Sequence, residues 1–459
     1  MMLGMSLMLN RSIIFSFLCI SFVFALVLGM VVTHSTGFIA LPALVQQKKQ
    51  VTLTAMVVDN SGGNPSEDQR ARLFQPALQE LKARHPDMDI NINYVQSPYN
   101  QTRTHILNAL GNQTPVDIIS LDQVWFGEFA QKAYLTDITN RVQSWGRISD
   151  WYPTNFAGGV YNGKVYAIWA WTDVRGIWYW KDLLNRAQVN PNSLMTWDGY
   201  ISSTKKISDA LKGQGIQGTV LNGANYSPDL WYPYLWMLGG DIVVQKDGHP
   251  TKGTYWFPAY NSSAGVKALE FIKEQINAGI KPVKDNLDKT FVDRKVAVYI
   301  GGSWMPGWFP NNQWASLPQR VGFIPAFPVP NGTNQSSTMM GGWELAIPQT
   351  SKNKDLVWEL LTIMVDSKII SPWLEQNGFL PTQKSLGSGL QSAQLNQTIP
   401  YYNKMISMIL TGHGRPNVSE YPQIADHIRL AIEEVYYGIK EPKQALDDAA
   451  AKTAEVLGW

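Results

Sequence analysis

Alternating apolar and polar positions mark the first part of the chain as a series of short strands. Residues 51–57 and 89–95 place apolar side chains at every second position, and an amphipathic helical stretch follows each of them. Residues 116–120 form a short apolar run that Asp122 closes. This β-α-β-α-β order predicts parallel strands joined by crossover helices. Ligands of such sheets bind beyond the carboxyl ends of the strands, where we expect Asp122 to lie.

A second α/β pattern begins near Trp171. Residues 262–279 predict a helix that starts at a serine cap and ends at a glycine, and residues 295–300 predict a strand. Two further amphipathic helices are expected at 424–435 and 442–457. Because 459 residues exceed the size at which a single hydrophobic core stops growing, we predict an α/β protein of two lobes.

The composition narrows the possible classes of function. The net charge of +2 includes no long basic run, which argues against a nucleic-acid partner. The single cysteine, Cys19, lies in the apolar N-terminal stretch, so the globular part forms no disulfide and no thiolate metal site. The histidines are far apart, no Walker-type loop is present, and the glycines of 213–218 follow a helix, as linkers do. We therefore expect no metal, no cofactor and no ATP hydrolysis by this chain.

Residues 13–32 form a continuous stretch without a charge. At about 1.5 Å per residue, a helix of this length spans roughly 30 Å, the thickness of the hydrocarbon core of a membrane. A secretory signal has a shorter apolar region, and the candidate cleavage points after Ala40 and Ala43 lie well beyond this one. We predict an export signal retained as a membrane anchor, with a cleaved signal as the alternative. In both cases the rest of the chain lies outside the cytoplasm, at the extracellular face of the membrane.

Asn-x-Ser/Thr sequons are more frequent downstream of this stretch than chance predicts. Such sequons are glycosylation acceptors only in exported chains, and an occupied sequon must lie in a surface loop. The sequence thus raises the possibility of a glycoprotein. The sequons begin at Asn100, Asn112, Asn225, Asn261, Asn331, Asn334, Asn396 and Asn417.

The chain contains 18 tryptophans, and three clusters place them beside carboxylates or glycine turns, at 168–173, 301–304 and 341–344. A flat apolar ring can stack on the apolar face of a sugar, while a neighbouring carboxylate accepts strong hydrogen bonds from its hydroxyls. Most tryptophans are heavily buried, so packing in the core is the alternative for each one. The clusters nevertheless favour a sugar ligand.

Two other functions compete with sugar capture. A cell-surface glycosidase needs two carboxylates flanking the scissile bond, and Asp122, Asp173 and Glu344 are the candidates, although helix capping explains such residues equally well. The sequence contains no strand–turn–helix elbow for a nucleophilic serine. A structural surface glycoprotein would account for the anchor and the sequons, but not for the tryptophan clusters.

Several blocks of the sequence occur in an order typical of one family. The chain resembles the extracellular solute-binding proteins (family 1) of carbohydrate ABC transporters, similar to the maltose- and trehalose-binding proteins, from about Val51 to Leu457. The blocks that carry the resemblance are Pro115–Ile119 with Asp122, Trp125 and Glu128–Ala130; Gly163–Ile168 through Thr172–Asp173 to Lys181–Leu184; Trp236–Asp241; Gly301–Trp304; Gly341–Trp343 with Ile347–Pro348; Gly378–Thr382; and Tyr421–Ile424.

The resemblance implies a two-lobed, periplasmic-binding-protein-like α/β fold with a hinge and a ligand cleft between the lobes. It implies a binding protein rather than an enzyme, working as a monomer with an ABC permease that cytoplasmic ATPases drive. The domains expected from it are a cytoplasmic N-terminus (1–12), an anchor helix (13–33), a tether (34–50), a first lobe (51–168 and 330–377) and a second lobe (169–329 and 378–459).

By the resemblance, Asp122 and Asp173 would bind sugar hydroxyls. Trp171, Trp304 and Trp343 would stack on pyranose rings, and Arg415 would reach the ligand from the second lobe. Chemistry and neighbourhood add further candidates, namely Trp125, Trp236, Gly342 and Glu344. The ligand stays open between an α-linked disaccharide, a longer oligosaccharide and a monosaccharide.

Overall fold

The computed structural model describes residues 48–58, 71–223, 227–333, 335–388 and 390–459. The predicted membrane anchor, nearly all of the tether and the sequons at Asn225 and Asn334 lie outside these ranges. Within the ranges, no helix is both long and apolar enough to cross a membrane.

Strands and helices alternate along the described part of the chain. In chain order, its strands are β1 (Lys49–Val58), β2 (Met88–Ser97), β3 (Ile118–Asp122), β4 (Val160–Tyr161), β5 (Lys164–Val165), β6 (Ala167–Asp173), β7 (Arg175–Trp180), β8 (Leu221–Asn222), β9 (Val243–His249), β10 (Gly253–Pro258), β11 (Pro282–Val283), β12 (Val298–Gly302), β13 (Val321–Ile324), β14 (Thr338–Met339), β15 (Gly341–Ala346), β16 (Leu380–Pro381) and β17 (Gly412–His413). Its α-helices are α1 (Ala71–Arg84), α2 (Tyr99–Gly111), α3 (Gln123–Gln131), α4 (Thr139–Trp145), α5 (Pro153–Gly158), α6 (Lys181–Arg186), α7 (Trp197–Leu211), α8 (Ser227–Met237), α9 (Ser263–Asn277), α10 (Leu287–Val292), α11 (Leu317–Arg320), α12 (Lys354–Met364), α13 (Ser367–Asn377), α14 (Lys384–Gly387), α15 (Leu390–Thr398), α16 (Tyr402–Ile409), α17 (Tyr421–Tyr436) and α18 (Pro442–Leu457).

The first lobe is built on a six-stranded sheet with the strand order β16-β6-β15-β3-β1-β2. β1 pairs in parallel with β2 and with β3, and α1 and α2 are the crossover helices, as the sequence predicts. Every residue of β3 and of β15 is buried, as expected of strands covered on both faces. β3 begins and ends two residues later than predicted, so that Asp122 is its last residue.

β15 enters this sheet from far along the chain and lies between β3 and β6, antiparallel to both. Its register places Trp343 opposite Asp122 of β3, and Gly341 opposite Asp173 of β6. Two carboxylates that are distant in sequence therefore end at the same edge of the sheet, one on each side of β15.

The second lobe contains an antiparallel three-stranded sheet with the order β12-β7-β13. Only Val174 separates β6 of the first sheet from β7 of the second, so the chain passes directly from one lobe to the other.

Two of the predicted lobe boundaries need correction. We placed the first crossing after residue 168, yet the whole of β6 (Ala167–Asp173) lies in the six-stranded sheet, because β15 pairs with it from Ala167 to Asp173. We placed the last crossing after residue 377, yet β16 (Leu380–Pro381) still pairs with β6. The other boundaries stay predictions.

The predicted helices that flank the second lobe are confirmed. Ser262 is the N-cap of α9, with its Oγ accepting from the backbone N–H of Gly265, and Gly279 follows the helix with φ of 92°. α17 and α18 extend over Tyr421–Tyr436 and Pro442–Leu457. The predicted strand at 295–300 is displaced to Val298–Gly302, where it pairs with β7.

Gly342 occupies a position in β15 that no other residue fits. Its φ is +151°, and a Cβ there would lie 1.9 Å from Trp169 Nε1 and 2.4 Å from the carbonyl oxygen of Trp171. The indole of Trp169 thus packs directly on the backbone of the central strand, so the close fit of β6 on β15 requires a glycine.

We predict that Gly342→Ala lowers the free energy of unfolding by about 2 kcal/mol or more, since it combines backbone strain with a steric clash. Urea denaturation measures the loss. Gly213→Ala is the matched control, because a Cβ at Gly213 would meet nothing within 4 Å. Equal stability of the two variants would contradict the prediction.

Candidate functional site

A cleft of about 860 Å³ separates the six-stranded sheet from the three-stranded sheet. Its first-lobe wall contains the ends of β3 and β6, the start of β15 and Tyr99. Its second-lobe wall contains β7, β12, and segments around α8 and α10. The lining residues on which the argument depends are Tyr99, Asp122, Asp173, Arg175, Asp229, Asp288, Tyr299, Trp304, Trp308, Gly342, Trp343 and Arg415.

Asp122 lies at the carboxyl end of β3, as predicted, and also caps α3, with Oδ1 accepting from the backbone N–H of Val124. Its Oδ2 accepts from the hydroxyl of Tyr99 at 2.8 Å. Arg415 approaches Oδ1 to 3.5 Å. The carboxylate therefore caps α3 and also lines the cleft, so capping does not exclude a role in binding, which stays a prediction.

Buried ion pairs continue from Asp122 across the cleft. Arg415 lies 3.1 Å from Asp229 of α8, and Arg175 lies 3.8 Å from the same oxygen. Arg175 also lies 2.7 Å from Asp173. The chain Asp122–Arg415–Asp229–Arg175–Asp173 thus joins the two lobes through charged groups that each have an opposite partner, as buried charges require.

Burial raises the pKa of the Asp173 carboxyl, while Arg175 and Arg415 act in the opposite direction. Removal of either guanidinium would therefore leave the Asp173 carboxylate buried with less positive charge nearby to stabilise it.

Arg415 was expected to reach the ligand from the second lobe, yet the segment that carries it is hydrogen-bonded to the first lobe. Gln123 donates to the carbonyl of Arg415 at 3.0 Å and to Oδ1 of Asn417 at 2.8 Å. The side-chain amide of Asn417 in turn donates to the carbonyl oxygens of Ala157, Gly158 and Val160. The guanidinium consequently projects from an anchored loop into the cleft.

Two of the predicted aromatic residues line the cleft. Trp343 belongs to the first-lobe wall, where its ring meets those of Tyr99 and Trp125 edge to face at 6.1 and 5.9 Å. Trp304 belongs to the second-lobe wall, and its ring packs against the backbone of Gly302. A Cβ added at Gly302 would come within 2.2 Å of the Trp304 ring. Arg175 lies 5.1 Å from the ring centre of Trp304.

The structure places the other predicted residues outside the lining. Trp125 lies behind Trp343 as its support. Trp171, at 2% exposure, packs on Trp373 with ring centres 4.7 Å apart. Trp236 stacks on His413 at 4.9 Å.

Glu344 is the fourth predicted residue outside the lining, and it is fully buried. Neither of its carboxyl oxygens has a hydrogen-bond partner among the described residues. Burial raises its pKa well above the ordinary value of 4.5, with repulsion from Asp122 as a further cause and Arg415 acting in the opposite direction. A protonated, neutral side chain is the form that such a site favours.

Sequence reasoning missed several lining residues. Arg175 follows Asp173 at the strand period, which was a usable signal, and Trp308 lies one short turn after Trp304. Asp229 and Asp288 gave no local signal, since their partners are remote in sequence. Tyr99 likewise reaches the site only because α2 starts beside the end of β3.

The charged residues do not form a metal site. In the described ranges, no group of three or more His, Cys, Asp or Glu side chains could hold a metal ion. Of the three carboxylates that a glycosidase would use, Asp122 and Asp173 are paired with arginines, while Glu344 is buried away from the lining.

Comparison with known proteins was made on the sequence and on the fold. The family model described as "Bacterial extracellular solute-binding protein" matches residues 64–369. A binding protein of Brucella abortus is 23% identical over 394 residues, covering 84% of this chain and 89% of its own length. The arabinooligosaccharide-binding protein of Bacillus subtilis is 22% identical over 410 residues, covering 83% and 88%.

Among solved structures, the GacH receptor of Streptomyces glaucescens, determined without ligand and with acarbose, has the same fold. It superposes with a TM-score of 0.73 at 22% sequence identity, covering 89% of this chain and 99% of that one. The comparison covers both lobes and therefore confirms the predicted two-lobed architecture.

The buried Glu344 leads to a prediction about stability. Because its pKa in the folded protein lies above 4.5, folding takes up a proton between the two values. Below pH 4.5 the Glu344 carboxyl is protonated in both the folded and the unfolded state, and it lowers the free energy of unfolding least. As the pH rises from there through the folded-state pKa, the free energy of unfolding falls. We therefore expect Glu344→Gln to remove part of the fall in the free energy of unfolding that occurs as the pH rises above 4.5.

Urea unfolding at several pH values between 5 and 8 measures this difference. Glu455→Gln, at an exposed position in α18, is the control and should keep the wild-type pH dependence. A Glu344→Gln profile parallel to that of the wild type would contradict the prediction.

Proposed function

The chain belongs to the family of bacterial extracellular solute-binding proteins, and we propose that it captures a di- or oligosaccharide between its two lobes. The observation that carries this proposal is the composition of the cleft. Trp304, Trp308 and Trp343 line the same cleft of about 860 Å³ as Asp122 and Arg415. Apolar ring faces and charged hydrogen-bonding groups together match the two kinds of surface that a sugar offers.

The size of the cleft favours a ligand larger than one sugar ring. Ligand sites typically enclose about 300 to 1,000 Å³, and this cleft lies in the upper part of that range. The relatives support the same class, since one is an arabinooligosaccharide-binding protein and the GacH receptor was determined with acarbose. An α-linked sugar of the maltose or trehalose type is one member of this class.

Capture depends on contacts with both lobes. A ligand shifts the protein toward the closed form only by binding that form more tightly, and here both walls offer groups that it can contact. The direct passage from β6 to β7 at Val174 is one place where the lobes can turn relative to each other. We propose that the closed form docks on an ABC permease with cytoplasmic ATPases, and that the protein acts as a receptor and not as an enzyme.

The position of the protein in the cell follows from its family and its N-terminus. We propose that it works as a monomer outside the cytoplasm, held at the membrane by residues 13–33. Glycosylation is proposed only for exposed sequons outside helices and strands, such as Asn112. The side-chain amide of Asn417 donates three hydrogen bonds to backbone carbonyls, which a glycan on that nitrogen would break.

Tryptophan fluorescence tests the proposal directly. A chain beginning near Lys48 is titrated with mono-, di- and trisaccharides, and the sugar is recovered by chromatography afterwards. A saturable response with the sugar intact supports a receptor. Absence of a response to every sugar would refute sugar capture, and release of monosaccharide would indicate a glycosidase.

We predict that Trp308→Ala weakens binding of the responding sugar about tenfold, equivalent to about 1.4 kcal/mol. Trp308 lines the cleft and is 40% exposed, so its removal takes away a stacking surface at little cost to stability. Isothermal titration calorimetry gives the affinity. Tyr437→Ala is the control, because Tyr437 is 57% exposed and is not part of the cleft lining. Equal affinities of the two variants would remove Trp308 from the site.

A further inference from the structure

Asp288 is a partly buried carboxylate in the second-lobe wall, and its hydrogen bonds come from aromatic side chains. Oδ1 accepts from the hydroxyl of Tyr299 at 2.6 Å, and Oδ2 accepts from the indole N–H of Trp304 at 2.9 Å. The side chain of Trp308 also acts to lower the pKa of this carboxyl. All four residues line the cleft.

The three aromatic partners come from outside the helix that carries Asp288. Asp288 lies in the first turn of α10, whereas Tyr299 belongs to β12, and both tryptophans follow that strand. The N-cap of α10 is Asn286, so Asp288 is not needed for that task. The Asp288 carboxylate therefore connects α10 with the aromatic residues of the second-lobe wall.

Burial of this carboxylate has a cost that its partners offset. Desolvation raises the pKa of Asp288, while the donors Tyr299, Trp304 and Trp308 and the charge of Arg175 act in the opposite direction. The Asp288 carboxylate therefore pairs donors of Tyr299 and Trp304 that would otherwise be unpaired or would point into the cleft.

The hydrogen bonds also decide what the aromatic residues can offer to a ligand. A tryptophan has one polar hydrogen, on its indole nitrogen, and a tyrosine has one on its hydroxyl. The hydrogens of Tyr299 and Trp304 are directed at Asp288, so these two residues offer their rings, and no donor, to a ligand. Other polar residues of the lining, such as Asp122, Asp173 and the two arginines, can bond hydroxyls.

We propose that Asp288 is the positioning residue of the sugar site. By holding Trp304 and Trp308 by their indole N–H groups, it turns their ring faces toward the cleft and makes this wall selective for the apolar face of a sugar ring. That the ligand is a sugar rests on the proposed function. That Asp288 holds the rings rests on the hydrogen bonds alone.

The test compares two substitutions that remove the same charge from the same cleft. Asp288→Asn keeps one acceptor oxygen but places an amide donor against the other aromatic donor. Asp285→Asn is the matched control for the resonances, because Asp285 is an exposed residue of the cleft lining and accepts no hydrogen bond from Tyr299, Trp304 or Trp308. Both proteins are studied at a temperature at which circular dichroism shows them fully folded.

The first readout needs no ligand. Indole N–H resonances of the tryptophan-labelled protein are assigned with Trp304→Phe and Trp308→Phe, and hydrogen bonds to a carboxylate shift them downfield. We expect Asp288→Asn to move both resonances and to speed their exchange with solvent, and Asp285→Asn to leave them in place. Unchanged resonances in Asp288→Asn would overturn the inference.

The second readout is the affinity for maltotriose, or for the sugar that the panel identifies. We expect at least a tenfold loss of affinity in Asp288→Asn relative to the wild-type protein. In a Trp304→Phe/Trp308→Phe background the loss should shrink below threefold, because a positioning residue acts through the rings that it holds. A loss of equal size in both backgrounds would overturn the positioning role.

The two proposals fail in different ways. If the wild-type protein binds none of the sugars, the proposed function is wrong, and the resonances still decide whether Asp288 holds the rings. If sugar binds but Asp288→Asn behaves like Asp285→Asn, the inference is wrong and the proposed function stands.

Discussion

The insertion of β15 between β3 and β6 is the constraint on which the cleft depends. The backbone groups of these central strands are buried, and buried N–H and C=O groups must be paired. β15 supplies the pairing on both sides, and the register of that pairing sets Trp343 beside Asp122 and Gly341 beside Asp173. The first-lobe wall of the site is therefore a consequence of completing a sheet. Gly342 belongs to the same constraint, since only a glycine lets Trp169 pack on the strand.

Charge pairing is the second requirement, and it joins the lobes. Carboxylates at strand ends face a largely buried cleft, where an unpaired charge is costly. Arg175 and Arg415 reach them from different parts of the chain and share Asp229 as a common partner. A ligand that enters the cleft must share or replace some of these bonds, so this network also limits which pattern of hydrogen-bonding groups can compete with it.

The tryptophans divide into two groups by what lies against their rings. Trp171 has Trp373 and Phe379 on it and serves the core, while Trp125 supports Trp343 from behind. Trp304 and Trp308 line the cleft, and the indole N–H of Trp304 donates to Asp288. Both walls combine aromatic rings with hydrogen-bonding groups, since Trp343 stands beside Asp122 on the first and Trp304 beside Arg175 on the second.

Local pattern in the sequence by itself determined the opening β-α-β-α-β unit, the cap at Ser262 and the helices α17 and α18, because these depend on periodicity and capping within a few residues. It also indicated Asp122 at a strand end, and the ordered blocks indicated the two-lobed architecture. Only the tertiary structure decided which members of each cluster reach the cleft. Alternation along a strand predicts that neighbouring side chains face opposite sides, but it does not show which side faces the cleft. In addition, a bulge shifts the register between Trp343 and Glu344. Glu344 and Trp171 were therefore misplaced, and Asp229 and Asp288 were missed because their roles rest on partners that only folding brings near.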